Sequence, residues 1–293
     1  MDIGFKTNIL FEYDFNQIVD FAVENGIKAL EIQTHFNKEL QGRHFDIINL
    51  DEADAKRIVA ILENNGLYLS NLSYFSNPLA GDENRKEYIN NMETLIEKAS
   101  WLKVKNLTTF TGYNPEMSLE TIIKEFEPVI KPLLKKAGEK DMNILLENTP
   151  VMTSDSDFGN IAYSPEVWDI IFTHISDDNF GLNYDPSHLF WLGIDYMLFI
   201  RVFNEKIFHV QAKDAEILLE RLRMSGILGQ NWFQYRLPGF GNIEWRKFAS
   251  ALYENGYDGV ISIEHEDPVW LGNTNKKKKG LQLSKKYLDN FVI

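Results

Sequence analysis

The chain contains no cysteine among its 293 residues. This absence excludes disulfide bonds, thiolate metal ligands and cysteine nucleophiles together, and it fits a reducing compartment. The sequence also lacks a long apolar run, because the longest one, Leu189 to Ile200, is interrupted by Asp195 and is too short to span a bilayer. No Gly-x-Gly-x-x-Gly motif follows the first predicted strand, which argues against a dinucleotide-binding fold.

Positive charge is scarce relative to negative charge. The 30 Lys and Arg residues against 43 Asp and Glu residues give a net charge of −13. A surface this acidic repels phosphodiester backbones, so we expect no nucleic-acid partner. Glu12 and Asp14 interrupt the apolar N-terminal stretch, so we expect no signal peptide, no membrane partner and a cytoplasmic protein.

A repeated pattern predicts the fold. Three segments end a helical pattern, place a glycine (Gly26, Gly66 or Gly256) and continue as a short apolar run. Helical patterns separate most of the eight predicted strands, which are Ile3–Thr7, Ala29–Gln33, Leu67–Ser73, Leu107–Thr111, Ile144–Glu147, Phe180–Asp185, Ile207–Lys213 and Val260–Glu264. This alternation predicts an α/β protein, a single (β/α)₈ TIM barrel over residues 1–293, with a long loop (214–242) after strand seven.

Polar residues end the last four predicted strands. They are Glu147-Asn148, Asp185-Pro-Ser-His188, His209-Val-Gln211-Ala-Lys213-Asp214 and Glu264-His265-Glu266. In a TIM barrel these ends meet at one mouth, where clustered carboxylates repel each other and lose hydration at high cost. A divalent cation (Mn²⁺, Mg²⁺ or Co²⁺) bound by three carboxylates and one neutral ligand would offset that cost. The alternative is a buried salt-bridge network that uses Lys213 and Arg236.

These strand ends carry a family likeness. Together with Arg236-Leu-Pro-Gly-Phe-Gly241 and Gly256-Tyr-Asp-Gly-Val-Ile-Ser-Ile-Glu264, they resemble the xylose isomerase-like TIM-barrel superfamily. Within it, the chain resembles the sugar phosphate isomerase/epimerase group, which includes ketose 3-epimerases. The likeness extends from Ile3 to the C-terminal helix, and it is specific for the superfamily rather than for a substrate.

The resemblance implies a metal site at Glu147, Asp185, Gln211 and Glu264, with Mn²⁺ as the expected ion and Mg²⁺ or Co²⁺ as alternatives. The family usually has histidine where this chain has Gln211, whose amide oxygen can still coordinate and would make the site all-oxygen. His209, two residues earlier on the same strand, is an alternative ligand; otherwise it is a hydrogen-bonded core histidine.

The resemblance also implies catalytic roles. Glu147 and Glu264 would act as acid and base around a cis-enediolate, in addition to binding the metal. Two further residues resemble family residues that contact the substrate: His188, which could instead cap a helix, and Arg236, which could instead be a surface arginine. Lys213 and His209 are also expected to bind substrate.

The leading hypothesis is a metal-dependent isomerase or epimerase acting on a ketose or keto-sugar. The alternative is a lyase of the same superfamily: an inosose dehydratase, or an enzyme of β-elimination on 3-keto-glycosides like the large subunits of C-glycoside deglycosidases. Gln211 and the aromatic-rich segment from Trp232 to Tyr235 favour this alternative. The expected partner is a small carbohydrate or glycoside. The sequence also allows assembly as a homo-oligomer or with a small second subunit.

Two further classes fit less well. A type-IV apurinic endonuclease needs histidines at the ends of the third and fourth strands, and the sequence has none there. A non-catalytic sugar-binding barrel would be expected to lose one of the two glutamates, Glu147 and Glu264, and both are present.

Overall fold

The computed structural model describes residues 1–37, 44–152 and 157–292. Eight parallel strands form a barrel: β1 (Asp2–Lys6), β2 (Ala29–Gln33), β3 (Tyr68–Ser73), β4 (Asn106–Thr109), β5 (Asn143–Glu147), β6 (Phe180–Tyr184), β7 (Ile207–Ala212) and β10 (Val260–Ile263). The barrel closes in the order β1-β10-β7-β6-β5-β4-β3-β2. The predicted (β/α)₈ barrel is confirmed, and each predicted strand agrees with a barrel strand to within two residues at either end.

The helices surround the barrel, and four of them begin at a capping side chain. Asp14, Asp51, Ser118 and Ser164 each accept a backbone N–H in the first turn of the helix that follows. The helices are α1 (Phe15–Glu24), α2 (Glu52–Asn64), α3 (Asp82–Trp101), α4 (Leu119–Gly138), α5 (Pro165–His174), α6 (Pro186–Trp191), α7 (Leu198–Val202), α8 (Leu219–Ser225), α9 (Trp245–Glu254) and α10 (Thr274–Leu288).

Glycine ends the first two of these helices and α9 as predicted. Gly26, Gly66 and Gly256 have φ angles of 63°, 67° and 80°, in the left-handed region that a residue without Cβ adopts at little cost. No helix in the described ranges is long and apolar enough to cross a membrane.

The predicted long loop after strand seven contains a small antiparallel ribbon. Its strands are β8 (Asp214–Ile217) and β9 (Phe233–Arg236), and α8 lies between them in sequence. The Asp214 carboxylate accepts the backbone N–H groups of Gly239, Gly241 and Ile243 at 3.0, 3.2 and 3.0 Å. Because Asp214 comes two residues after β7, these bonds fix the ribbon at the barrel mouth.

Candidate functional site

A cavity of about 290 Å³ opens at the C-terminal ends of the barrel strands. This volume lies near the lower end of the range of ligand sites, roughly 300–1,000 Å³, so the cavity suits a small molecule. Its lining combines charged and aromatic side chains: Lys6, Asn8, Gln33, Phe75, Phe110, Glu147, Thr149, His188, Lys213, Tyr235, Glu264 and Glu266.

Two asparagines fix the ends of β5 and β6. The side chain of Asn148 donates to the carbonyl of Asp185 at 2.8 Å and accepts its backbone N–H at 2.7 Å. Asn160 donates to the backbone carbonyl of Glu147 at 2.8 Å. Asp185 also caps α6, because its Oδ1 accepts the N–H of Ser187 at 2.8 Å. The carboxylates that end these neighbouring strands therefore have fixed backbones.

Two buried lysines stand among the predicted carboxylate ligands. Lys6 ends β1, and its Nζ lies 2.6 Å from Oε1 of Glu264 and 3.8 Å from Oε2 of Glu147. Lys213 follows β7, and its Nζ lies 2.8 Å from Oε2 of Glu264 and 3.1 Å from Oδ2 of Asp185. Both oxygens of Glu264 therefore face an ammonium group.

Burial and charge act differently on the two glutamates. Burial raises the pKa of Glu147 to about 8, against the opposing effect of Lys6. Burial alone would also raise the pKa of Glu264, but the ammonium groups of Lys213 and Lys6 outweigh it and hold that pKa below its usual range. Glu147 is therefore the carboxyl group that can exchange a proton near neutral pH, whereas Glu264 is ionised.

The lysines are held in their charged form. Burial alone would lower the pKa of Lys6, but Glu147 and Glu264 outweigh it and raise that pKa above its usual range. The pKa of Lys213 is raised in the same way, with Asp185 and Glu264 outweighing burial. Neither amine is a free base near neutral pH, so neither is available as a nucleophile.

Asp185 and His188 form the wall beside Lys213. Burial raises the pKa of Asp185 to about 6, against the effect of Lys213. Burial also holds the pKa of His188 well below its usual range, so its imidazole is neutral. The Nδ1 atom of His188 lies 3.1 Å from the hydroxyl of Tyr235, and its Nε2 lies 3.4 Å from Oδ2 of Asp185. The imidazole is therefore uncharged and lies between the Tyr235 hydroxyl and the Asp185 carboxyl group.

Gln211 reaches across the barrel to a residue that sequence analysis did not single out. Its amide nitrogen donates to Oε1 of Glu31 at 2.9 Å and to Oε2 of Glu147 at 3.5 Å. Asn71 also donates to Oε1 of Glu31, at 3.2 Å. The carboxylate of Glu31 sets the amide orientation, since the reversed amide would bring two oxygen atoms together.

A model of the xylose isomerase-like TIM barrel family matches residues 19–289. The chain belongs to this family. The resemblance seen in the sequence is therefore confirmed, and the barrel with polar strand ends at one mouth is the arrangement it implied. Relatives and structural neighbours of the chain include proteins named as sugar epimerases and as inosose dehydratases.

Two curated relatives cover most of the chain. The chain is 26% identical to the uncharacterized protein YfiH of Bacillus subtilis, over 91% of this chain and 93% of that protein. It is 23% identical to an inosose dehydratase of Clostridium tetani, over 88% of this chain and 84% of the relative.

Solved structures of low sequence identity share the fold. A crystal structure of the IolI protein with a bound zinc atom has a TM-score of 0.75 at 21% identity, covering 100% of this chain and 98% of that one. The crystal structure of D-psicose 3-epimerase in the presence of D-fructose has a TM-score of 0.73 at 13% identity, covering 100% and 99% of the two chains.

The four predicted metal ligands make contacts that bear on whether they can hold a cation. In favour of a cation, Oε1 of Gln211 is buried without a hydrogen-bond partner in the described chain, and Oδ2 of Asp185 accepts no hydrogen bond although Nζ of Lys213 lies 3.1 Å from it. Against it, both oxygens of Glu264 pair with lysines, and Gln211 turns its N–H groups toward Glu31 and Glu147. Over residues 1–37, 44–152 and 157–292, no group of three or more His, Asp or Glu side chains is arranged to hold a metal ion. The arrangement does not fit a divalent ion on these four residues, and no step below depends on one.

The other predicted substrate ligands lie in different surroundings. His188 and Lys213 line the cavity, and their contact with substrate stays a prediction. His209 is buried with Nδ1 2.8 Å from Oδ1 of Asn183 and Nε2 3.1 Å from Oγ of Ser70, so both ring nitrogens have partners inside the barrel. His209 therefore has no ring nitrogen free to bind the substrate or a metal ion, the two roles predicted for it.

Arg236 lies on the ribbon, where its guanidinium pairs with two carboxylates. The distances are 2.7 Å to Oε2 of Glu216 and 3.3 Å to Oδ1 of Asp267. Neither its side chain nor these partners are among the described residues that line the cavity. Its predicted contact with substrate stays a prediction, and in the present arrangement it connects the ribbon to the segment after β10.

Three aromatic side chains line the cavity. Phe75 and Phe110 stack with ring centroids 4.3 Å apart, and Tyr235 comes from strand β9. Of the residues in the aromatic-rich segment, Tyr235 lines the cavity, while Phe233 stacks on Trp191 at 4.4 Å outside it. The aromatic surface of the cavity thus comes from Phe75, Phe110 and Tyr235.

Sequence analysis missed Lys6 and Glu31. A signal was present, because each is a charged residue within a short apolar strand at the start of the chain. It was overlooked because polar residues were sought at the ends of the last four strands, where the family motifs lie.

Proposed function

We propose that this chain catalyses proton transfer at a carbon next to the carbonyl group of a sugar-like substrate, as an isomerase or epimerase of a ketose or keto-sugar. The observation that carries the proposal is Glu147, a buried carboxyl group with a pKa of about 8 that lines the cavity beside the ammonium group of Lys6. A carboxyl group with a pKa near the working pH is suited to take up and return a proton. The family relationship supports this class of reaction.

The proposed reaction conserves every proton and electron pair. The Glu147 carboxylate takes the carbon-bound proton, the C–H electron pair forms a carbon–carbon double bond, and the carbonyl π pair moves to oxygen. Glu147 then returns its proton to the former carbonyl carbon. The hydroxyl proton on the adjacent carbon passes to the former carbonyl oxygen, and its O–H electron pair forms the new carbonyl π bond, which isomerises the substrate. His188, neutral and hydrogen-bonded to Tyr235, is placed to hold a hydroxyl group of the substrate.

The two glutamates are not equally suited to proton exchange. Glu264 was predicted to be the second acid/base, but its pKa is below the usual range and both its oxygens pair with lysines. Epimerisation by two bases requires a proton-exchanging group on each face of the substrate, whereas isomerisation requires only one. The contacts therefore favour isomerisation within this proposal, with Glu264 holding Lys6 and Lys213 in place.

A lyase is the second candidate, and the pair His188–Tyr235 favours it. In β-elimination Glu147 would remove the same proton, and the electron pair would form a carbon–carbon double bond and expel a hydroxyl group or the oxygen of an aglycone from the next carbon. The leaving oxygen needs a proton, which the hydrogen-bonded pair of His188 and Tyr235 in the cavity can supply. The naming of relatives as inosose dehydratases supports this candidate.

Incubation of the protein in D₂O with free ketoses, 3-keto-glycosides and inososes tests the proposal. We expect deuterium to enter one substrate at a carbon next to the carbonyl, as followed by NMR. A rearranged sugar as product identifies an isomerase or epimerase, and loss of water or of an aglycone identifies a lyase. If no member of the panel gains deuterium, the proposed function is wrong for these substrates.

The rate of deuterium exchange should rise with pH and level off above about pH 8. The base must be unprotonated to act, and burial raises the pKa of Glu147 to about 8, so the active fraction grows as pH approaches that value. The measurement is kcat/KM for exchange between about pH 6 and 9.5. A rate that is constant across this range would show that Glu147 is not the titrating base.

A further inference from the structure

The space enclosed by the predicted metal ligands is occupied by protein cations. Each of the three carboxylates in the set has an ammonium nitrogen close to it: Glu147 and Glu264 face Lys6, and Asp185 and Glu264 face Lys213, at distances from 2.6 to 3.8 Å. Lys6 is 3% exposed and Lys213 is 2% exposed. The charges that draw a divalent ion to a carboxylate cluster are thus already paired.

The barrel itself fixes Lys6 in this position. Strand β1 pairs with β10 in a register that joins Phe5 to Ile263, so the next residues, Lys6 and Glu264, stand side by side at the strand ends. The ring of Phe75 lies 5.2 Å from Nζ of Lys6 and supports the ammonium from another side. Lys6 is therefore held by Glu264 and Phe75 at the edge of the cavity and not exposed as a surface lysine is.

A divalent ion would compete with this lysine directly. An ion bound to Glu264 at the usual distance of about 2.0–2.4 Å would share a carboxylate with two ammonium groups and would be repelled by both. The fourth predicted ligand, Gln211, presents N–H donors rather than a lone pair to Glu31 and Glu147. In this arrangement the oxygens of Glu264 are therefore paired with lysines, and the amide nitrogen of Gln211, not its oxygen, faces Glu31 and Glu147.

We infer that Lys6, with Lys213, takes the place of the divalent ion, and that the Lys6 ammonium binds the substrate oxygen that becomes negatively charged. This inference rests on the proposed function for the role toward substrate, but not for the exclusion of metal. An ammonium group has three N–H donors, and Glu264 accepts one of them. Lys6 lines the cavity beside Glu147, so a substrate carbonyl can accept another donor while Glu147 removes the adjacent proton. Lys6 keeps its own proton throughout.

The exclusion of metal is tested with Mn²⁺ alone, without any substrate. Free Mn²⁺ is measured by its electron paramagnetic resonance signal during titration of wild type, Lys6→Met and Lys98→Met. Lys98 is the control because it is also buried but donates to the carbonyls of Ile47 and Ile48, away from the cavity. We expect Lys6→Met to bind Mn²⁺ at least about tenfold more tightly than wild type, because the repelling charge is gone, and Lys98→Met to match wild type.

Equal or weaker Mn²⁺ binding by Lys6→Met would overturn the inference, whether wild type binds the ion tightly or not at all. Should the variant unfold on purification, its recovery of circular dichroism and a melting transition on addition of Mn²⁺ counts as binding. If Lys6→Met is unfolded and Mn²⁺ does not restore its fold, Lys6→Gln is used instead, because glutamine keeps an N–H donor toward Glu264. Mn²⁺ binding by Lys6→Gln is then compared with that of wild type, with the same expected result.

The role toward substrate is tested by exchange after treatment with EDTA. Wild type should retain its deuterium exchange, and Lys6→Met should lose about 10²- to 10³-fold in kcat, the effect of removing one group that stabilises a developing oxyanion. Loss of wild-type exchange in EDTA, restored by Mn²⁺, would overturn this role. Absence of exchange with every substrate before EDTA would instead count against the proposed function, and the Mn²⁺ comparison would still stand.

Discussion

Glu147→Gln is expected to lower kcat for deuterium exchange by about 10²- to 10⁴-fold, the usual contribution of a general base. Glutamine has nearly the same shape and can still accept a contact from Lys6, but it cannot take up the carbon-bound proton. The loss should appear in kcat more than in KM, because substrate contacts with Lys6, Lys213 and His188 remain. Steady-state kinetics of exchange on the substrate found in D₂O provides the measurement.

A matched control separates this effect from a change of charge. Glu116→Gln makes the same replacement at an exposed position between β4 and α4, and it should leave kcat unchanged. The two variants should also have similar circular dichroism spectra. If Glu147→Gln kept turnover within about threefold of wild type, a different group would have to remove the proton and the mechanism proposed here would be wrong.

The barrel could be predicted from sequence because its signals are local. A glycine at the end of a helix, as at Gly26, and a cap at its start, as at Asp14, depend on residues within a few positions of each other. Each apolar run between them is a strand buried on both sides, which a parallel barrel requires. Repetition of this unit around the chain then leaves a closed barrel as the simplest arrangement.

The ionic contacts of the site could not be predicted in the same way. Lys6 and Glu264 are 258 residues apart and become neighbours only when β1 pairs with β10 to close the barrel. Gln211 and Glu31, 180 residues apart, meet across the interior. The general alternative of a buried salt-bridge network was recognised with Lys213 as a member, but its other proposed cation, Arg236, pairs instead with Glu216 and Asp267.

The ribbon after β7 was also missed, for a different reason. Its strands, β8 and β9, have four residues each and are partly exposed, so they lack the apolar runs of the barrel strands. Their pairing depends on Asp214, whose carboxylate binds three backbone N–H groups that follow β9. Sequence reasoning identified the length of this segment and its aromatic residues, but not the carboxylate that organises it.

Replacement of Glu264 by glutamine is expected to have the largest effect on stability. It removes the carboxylate that pairs with both Lys6 and Lys213 at 2.6 and 2.8 Å, and it leaves two buried ammonium groups short of a counter-charge. Loss of one partner from a buried ion pair costs about 3–5 kcal/mol of the free energy of unfolding. Urea denaturation of wild type and Glu264→Gln measures the difference.

Glu266→Gln is the control that shows how much of the loss of stability depends on burial of the ion pair. Glu266 also pairs with Lys213, at 3.2 Å, but its side chain is 46% exposed, so we expect its loss to cost only about 0–1 kcal/mol. Combining Glu264→Gln with Lys6→Met should cost less than the sum of the two single changes, since each single variant leaves the other charge buried and the double variant removes both. Additive effects, or a Glu264→Gln variant as stable as Glu266→Gln, would show that Lys6 and Glu264 are not coupled. The inference that Lys6 and Lys213 take the place of a divalent ion would then have to be abandoned.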